Sequence, residues 1–331
     1  MFDGGMEMFF RMRNFPTHLI GSLSKHKIYY KNRPVFHPSI LLQTNGIDNL
    51  PGSGVCSASA VLNSQSTSLL LRQVNTIGII GGRSSLSTLS FLEKVVQSSS
   101  NDGEDSLPFV VCNDPILNKE LLFFERSYFP YHNTKNARTQ FDSTPVVESL
   151  RQKRDFLEQA GARCIVMPCH ISHAWHDEIS HGSSVNFLHV GECVAKELKE
   201  AKLKPLEAGS NLRIGILATD ATLGAGFYQE KLRSQGFEVV LPDKATMEHT
   251  VVPALEALER KDMEGARNLL RIALQVLIVR AVNTIILASD DMLELLPRDD
   301  PLLKRCIDPM DALARSAIKW AQSTDKVHKR S

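Results

Sequence analysis

The stretch Cys164-Ile-Val-Met-Pro-Cys169-His170-Ile-Ser-His173-Ala-Trp175 decides how the rest of this chain is read. A short apolar run ends in Pro-Cys and helical spacing begins at once, which predicts a strand over 164–167 and a helix over 171–179. In α/β folds, a buried strand followed directly by a helix presents its last side chains at the carboxyl edge of the sheet, where ligands bind. A thiol placed there meets the positive end of a helix dipole, which favours thiolate. Cys169 is therefore a candidate nucleophile or base, and the question becomes what faces it.

Outward from this segment the same unit recurs. Ile77-Gly-Ile-Ile-Gly-Gly82 reads as a β-branched strand ending in a glycine turn, with a helix over 86–96. A second strand, 107–112, stops at Asn113-Asp114-Pro115, and 145–160 has the apolar spacing of an amphipathic helix. A short strand over 187–190 and a helix over 192–203 close this half. The pattern then restarts. Strands are predicted at 212–218, 237–241 and 284–288, and helices at 226–235, 247–260, 263–280, 292–296 and 311–322. Alternating strands and helices imply parallel sheets covered on both faces. The expected architecture is α/β, with two similar doubly wound domains, each on a parallel four-stranded sheet. Ligand-binding turns are then 81–85, 112–115, 168–170, 218–222 and 288–291.

Composition narrows the function classes. The 331 residues are 43% hydrophobic and carry a net charge of +1, so nothing global points to nucleic acid or to an acidic membrane surface. The longest apolar stretch, 269–288, is broken by Arg271, Gln275, Arg280 and Asn283, and no bilayer span is expected. Six cysteines, at 56, 112, 164, 169, 193 and 306, form no CxxC pair and read as reduced thiols. Residues 1–73 differ from the rest: up to Arg72 there are seven Lys/Arg against Asp3, Glu7 and Asp48, and 53–68 is rich in Ser. That composition describes an organelle transit leader or an unstructured tail. The expected division is 1–73 leader, 74–205 first domain, 206–305 second domain, 306–322 a helix returning to the first domain, and 323–331 tail.

Few motifs carry chemistry by themselves. Gly81-Gly82-Arg83-Ser84-Ser85 is not GxGxxG and brings no P-loop lysine. Its glycines serve either a small anion on backbone N–H groups or close packing. Cys169, His170, His173 and His176 have neither CxxC nor HExxH spacing, so no metal is expected. His173 is either a site residue one turn after the thiol or a core histidine satisfied by backbone. Cys164 and Cys193 read as core residues, and Cys112 as a weaker second thiol at a strand end.

Ile77-Gly-Ile-Ile-Gly-Gly, Met167-Pro-Cys169-x-x-x-His173, Leu217-Ala-Thr-Asp-Ala-Thr222-x-x-x-Gly-Phe-Tyr228, Ile285-Ile-Leu-Ala-Ser289 and Ile307-Asp-Pro309 together resemble the aspartate/glutamate racemase family, over about 76–322. The similarity over 212–322 is of the kind seen in plant members, and with the leader it implies a plastid address, with a cytoplasmic one as the alternative. The resemblance implies an active site in the cleft between the two domains, racemisation of aspartate or glutamate with no cofactor, and a homodimer. Two thiols from the two domains serve such enzymes as acid and base. The first corresponds to Cys169, although His170-Ile171 stands where the family has Asn-Thr. The second lies in a Gly-Cys-Thr-Glu turn, which here reads Ala288-Ser289-Asp290-Asp291. Ser289 thus replaces the second thiol, and a hydroxyl is a far poorer base unless activated. Asp290 and Asp291 either assist catalysis or cap a helix.

The substrate's side-chain carboxylate needs a cation. Arg83 in the glycine turn, Lys119 after Asn113-Asp-Pro, and Arg138 are the candidates. Gly82, Asn113 and His170 complete the expected binding set, with Thr219 and Thr222 either holding the α-carboxylate or capping a helix. Three readings follow: a racemase using Cys169 with Ser289 or a neighbouring Asp; a one-sided decarboxylase or isomerase of a small dicarboxylic acid; or a silent small-acid-binding protein.

Overall fold

The computed structural model describes residues 39–43, 73–100, 107–127, 142–203 and 211–328. Arg138, most of the leader and the expected 205/206 boundary lie outside these residues. In the first lobe the order is β1 (Ser39–Gln43), β2 (Ile77–Ile80), α1 (Ser85–Ser100), β3 (Phe109–Asn113), α2 (Pro115–Ser127), α3 (Thr144–Gln159), β4 (Cys164–Val166), α4 (His176–Ser180), β5 (Asn186–Phe187) and α5 (Val190–Glu200). The strands lie in the order β1-β3-β2-β4-β5. From β3 to β5 all neighbours are parallel, with Ile77 opposite Phe109 on one side and Cys164 on the other. Every residue of β2 and β4 is buried, as expected for parallel strands covered on both faces.

Four differences from the sequence reading bear on the site. First, Ser39–Gln43, expected to belong to a structureless leader, pairs antiparallel with β3 and adds an edge strand to the four parallel ones. Second, the sequence reading names no helix between Asn113 and 145, yet α2 forms there. Asp114 accepts the Ile116 N–H at 2.8 Å, Pro115 takes the first helical position, and Leu117, Leu121 and Phe124 point into the core. Third, 171–179 is not one helix. A five-residue 3₁₀ turn, Ile171–Trp175, precedes α4. Fourth, the chain leaves β5 early because His189 caps α5, its Nδ1 accepting the Gly191 N–H at 2.9 Å.

The second lobe runs β6 (Arg213–Ala218), α6 (Asp220–Ala225), α7 (Phe227–Ser234), β7 (Glu238–Val240), α8 (Lys244–Thr246), α9 (Val252–Glu259), α10 (Met263–Val279), β8 (Thr284–Ala288), α11 (Asp290–Leu293), β9 (Cys306–Ile307) and α12 (Pro309–His328). Its parallel sheet has the order β7-β6-β8-β9. A wide π-turn, Met247–Val251, joins α8 to α9. Pro253, next after Val252, has no N–H to offer a carbonyl four residues back, so the ladder loosens just before it. α12 crosses back to pack on α1 and α5. Lys94 of α1 reaches Asp308 (2.7 Å) and Asp311 (2.5 Å), and Arg315 reaches Glu197 of α5 (2.6 Å). Buried Ala312, Ala317 and Ala321 let this helix approach closely. One hydrophobic core joins Val190 and Val194 of α5 to Phe227, Tyr228 and Leu232 of α7, so the lobes share packing. No helix among the described residues is long and apolar enough to cross a membrane.

Candidate active site

The carboxyl ends of the central strands supply the site. β2 leads into Gly82-Arg83, β4 into Cys169-His170, β6 into Thr219 and β8 into Ser289. Cys169 is 4% exposed. The turn after β2 passes so close that a Cβ on Gly82 would sit 2.6 Å from the Cys169 Sγ, and the Arg83 backbone N–H donates to that sulfur at 3.4 Å. Only a glycine permits this approach. The expectation of a ready thiolate is overturned. Burial pushes the thiol up, against Ser172 and the Arg83 N–H, and the Glu125 carboxylate adds to the rise. The short 3₁₀ turn after Cys169 also replaces the α-helix whose dipole was to favour thiolate.

Arg83 spans the two lobes. Its Nε lies 3.0 Å from Glu125 of α2, and an Nη lies 2.6 Å from Asp291 at the start of α11. Burial works against its charge, but the two carboxylates outweigh that and hold it cationic. The Thr219 hydroxyl donates to Glu125 at 2.9 Å and also accepts the Thr222 N–H at 3.4 Å. Thr219 is thus a cap for α6 and also a link in a Thr219–Glu125–Arg83–Asp291 chain. Arg83, expected to wait for a substrate carboxylate, is occupied by two carboxylates of the protein. Glu125 is the residue the sequence reading missed. Its signal was the Leu117, Leu121, Phe124 spacing after Asp114-Pro115, which predicts the helix that carries it.

His170 departs from its neighbour and reaches the second lobe. Its Nδ1 lies 2.9 Å from the hydroxyl of fully buried Tyr228, and its Nε2 lies 3.4 Å from an Asp290 carboxylate oxygen. Burial pushes the Asp290 carboxyl up, but His170, helped by Ser87 and Arg83, more than offsets this and holds it below its ordinary range. Ser289 is 4% exposed, makes no side-chain cap for α11, and its Oγ has no hydrogen-bond partner among the described residues. Both aspartates sit in the first turn of α11, where the dipole favours them, and each also faces a cation or an imidazole.

Two cavities open beside this cluster. One of about 780 Å³ is lined by Ser87, Lys94, Asp290, Asp291, Arg298 and Asp308 among others. One of about 220 Å³ is lined by Arg83, Leu122, Glu125, Thr219, Leu255 and Asp291 among others. The Arg83–Asp291 pair stands where they adjoin, and Cys169 and Ser289 line neither. The cleft is closed over the thiol. Two other expected ligands lie elsewhere. Lys119 is exposed on α2 beside a separate depression with Phe123, Asp142 and Pro145, because it occupies the solvent face of the unforeseen helix. Asn113 donates to Ser85 at 2.9 Å and packs its oxygen against Gly81, bracing the glycine turn from behind.

His173 also faces away from the cleft. Its Nε2 bonds the Met167 carbonyl at 3.0 Å, and its ring packs with His176, His189 and Phe227. His176 and His189 are 4.7 Å apart by ring centroid. Burial lowers all three, and His189 falls to about 4 under the added influence of His176 and Lys231. Asp177 and Glu192, the facing carboxylates, oppose this without reversing it. Because the folded values lie below the unfolded one, the unfolded chain takes up protons first as pH falls. Stability from this source is unaffected above about pH 6.5 and is lost below it. For His189 alone the loss by pH 5 is expected to be about 2 kcal/mol. Denaturant midpoints at pH 7 and pH 5 check this. His189→Asn, which still caps α5, is expected to remove that share of the decline.

The model of the Asp/Glu/hydantoin racemase family matches residues 77–317. The broad specificity amino-acid racemase RacX of Bacillus subtilis is 25% identical over 174 residues, which are 50% of this chain and 64% of RacX. Among solved structures, the aspartate racemase of Picrophilus torridus is 25% identical with a TM-score of 0.54, covering 75% of this chain and 94% of its own. An aspartate racemase homologue from Pyrococcus horikoshii OT3 is 21% identical with a TM-score of 0.57, covering 75% and 99%, and so shares the fold. The chain belongs to the Asp/Glu/hydantoin racemase family.

Proposed function

We propose that the cleft racemises an acidic amino acid, aspartate or glutamate, by cofactor-independent α-proton transfer. One observation carries the reading: a buried thiol after β4 of one lobe and the Ser289-Asp290-Asp291 turn after β8 of the other are brought together by the Arg83–Asp291 and His170–Asp290 contacts. Inverting a carbon centre needs a proton carrier on each face, and two lobes closing on one ligand supply two faces. An α-proton is very weakly acidic, so the base must be desolvated and close, and the enediolate must be stabilised. Cys169 is desolvated already, and its ionisation is expected to accompany rearrangement of the closed site around a substrate. A dicarboxylic substrate brings a carboxylate that replaces Asp291 on the Arg83 guanidinium, in a charge-assisted pair of the same kind. Similarity to the amino-acid racemase RacX and to the Picrophilus aspartate racemase supports amino-acid racemisation as the reaction class.

The test is α-proton exchange in heavy water with L- and D-aspartate and L- and D-glutamate. Exchange with inversion is the expected result. Exchange with retention, from one enantiomer only, would replace racemisation by one-sided chemistry at Cys169. Binding without exchange would make the protein a silent acid-binding member of the family.

A further inference from the structure

We infer that His170, held between Tyr228 and Asp290, carries the proton on the second-lobe face of the substrate, where Ser289 stands in place of a thiol. The inference rests on the racemase reading and assigns its second proton carrier. Adjacent residues Cys169 and His170 turn opposite ways. The sulfur faces Gly82 and Arg83 of the first lobe, while the imidazole reaches Tyr228 of α7 and Asp290 of α11 in the second. Ser289 is badly placed to act alone. Its Oγ has no hydrogen-bond partner among the described residues, and the two neighbouring carboxylates face His170 and Arg83 rather than its hydroxyl. His170 Nε2 is likewise buried without a well-directed hydrogen bond, although Asp290 lies 3.4 Å away. A ring with one nitrogen fixed by a neighbour keeps the other for the substrate. Tyr228 does the fixing. Nδ1–H donates to its hydroxyl in the charged ring and equally in the neutral ring left when Nε2 gives up its proton, so one contact serves both protonation states.

The proton steps balance. Cys169 thiolate removes the α-proton: the C–H bond breaks, an S–H bond forms, and the electron pair moves into the carboxylate as an enediolate. The imidazolium Nε2–H then protonates the carbon from the other face, the pair returns to form the new C–H bond, and the ring is left neutral. The opposite enantiomer runs the same steps in reverse, from thiol and neutral imidazole. Between turnovers the two groups reset by exchanging protons with water.

The test compares the full chain with His170→Asn and with the double variant His170→Asn/Ser289→Cys, each enantiomer being followed in heavy water. His170→Asn is expected to retain Cys169-dependent exchange from one enantiomer while inversion falls at least about 100-fold. The added thiol is expected to restore inversion, which also shows that the substituted chain folds. Unchanged inversion in His170→Asn would overturn the inference and leave the racemase reading standing. Loss of exchange and inversion together, without recovery in the double variant, would reduce His170 to a structural part and also overturn it. Absence of exchange in the unsubstituted protein would overturn both.

Discussion

Cys169→Ala is expected to lower α-proton exchange from aspartate or glutamate by at least about a thousandfold while leaving the fold intact. The activity loss follows from chemistry. Alanine has no group that takes or returns a proton, and a positioned acid–base group contributes roughly 10²–10⁴ in rate. The stability side follows from packing. The thiol is buried, but it is small, and Gly82 already crowds it. Removing the sulfur leaves the Arg83 N–H without its acceptor and opens little space. The melting temperature is therefore expected to stay within a few degrees, equivalent to about 1 kcal/mol. Loss of the α-proton NMR signal in heavy water reads the first effect, and calorimetry the second. Full exchange in Cys169→Ala would remove the thiol from the mechanism.

Gly82→Ala is expected to damage the site without touching any reactive group. The new methyl would overlap the Cys169 Cβ and lie 2.6 Å from its sulfur, distances at which something must shift. Overpacking of this kind costs about 1–3 kcal/mol. Displacing the thiol by about an ångström lowers the rate on the order of 100-fold. Denaturant midpoints and exchange rates separate the two effects. In the double variant Gly82→Ala/Cys169→Gly the stability loss is expected to be recovered and the activity to stay absent. A clash and a missing thiol are then told apart by a double-mutant cycle.

The strand ends were legible because they are local. Ile77–Ile80, Cys164–Val166, Arg213–Ala218 and Thr284–Ala288 are apolar runs closed by Gly, Pro or polar residues, and that pattern places Gly82, Cys169, Thr219 and Ser289 at one edge. What the sequence hid is long-range or ambiguous. Pro115 reads as a stop after a strand, yet it is also the first residue of α2, so Glu125 had no element to stand on. The partners of Arg83 are 42 and 208 positions away, and no spacing rule links them. His170 and Asp290, 120 positions apart, looked independent until the fold placed them 3.4 Å from each other. Burial was the other hidden term. A thiol at a strand end reads as activated, whereas burial under a glycine turn pushes this thiol up, away from thiolate.

The return of α12 has a mechanical consequence. The polypeptide passes between the lobes twice, once between α5 and β6 and again between β9 and α12. Two bodies tethered at two points swing about the line through the tethers far more readily than they slide or twist. The second tether is stiffened where Lys94 grips Asp308 and Asp311 on either side of the α12 start. Any opening of the cleft is thereby expected to follow that single axis, which would bring the two strand edges back to the same register.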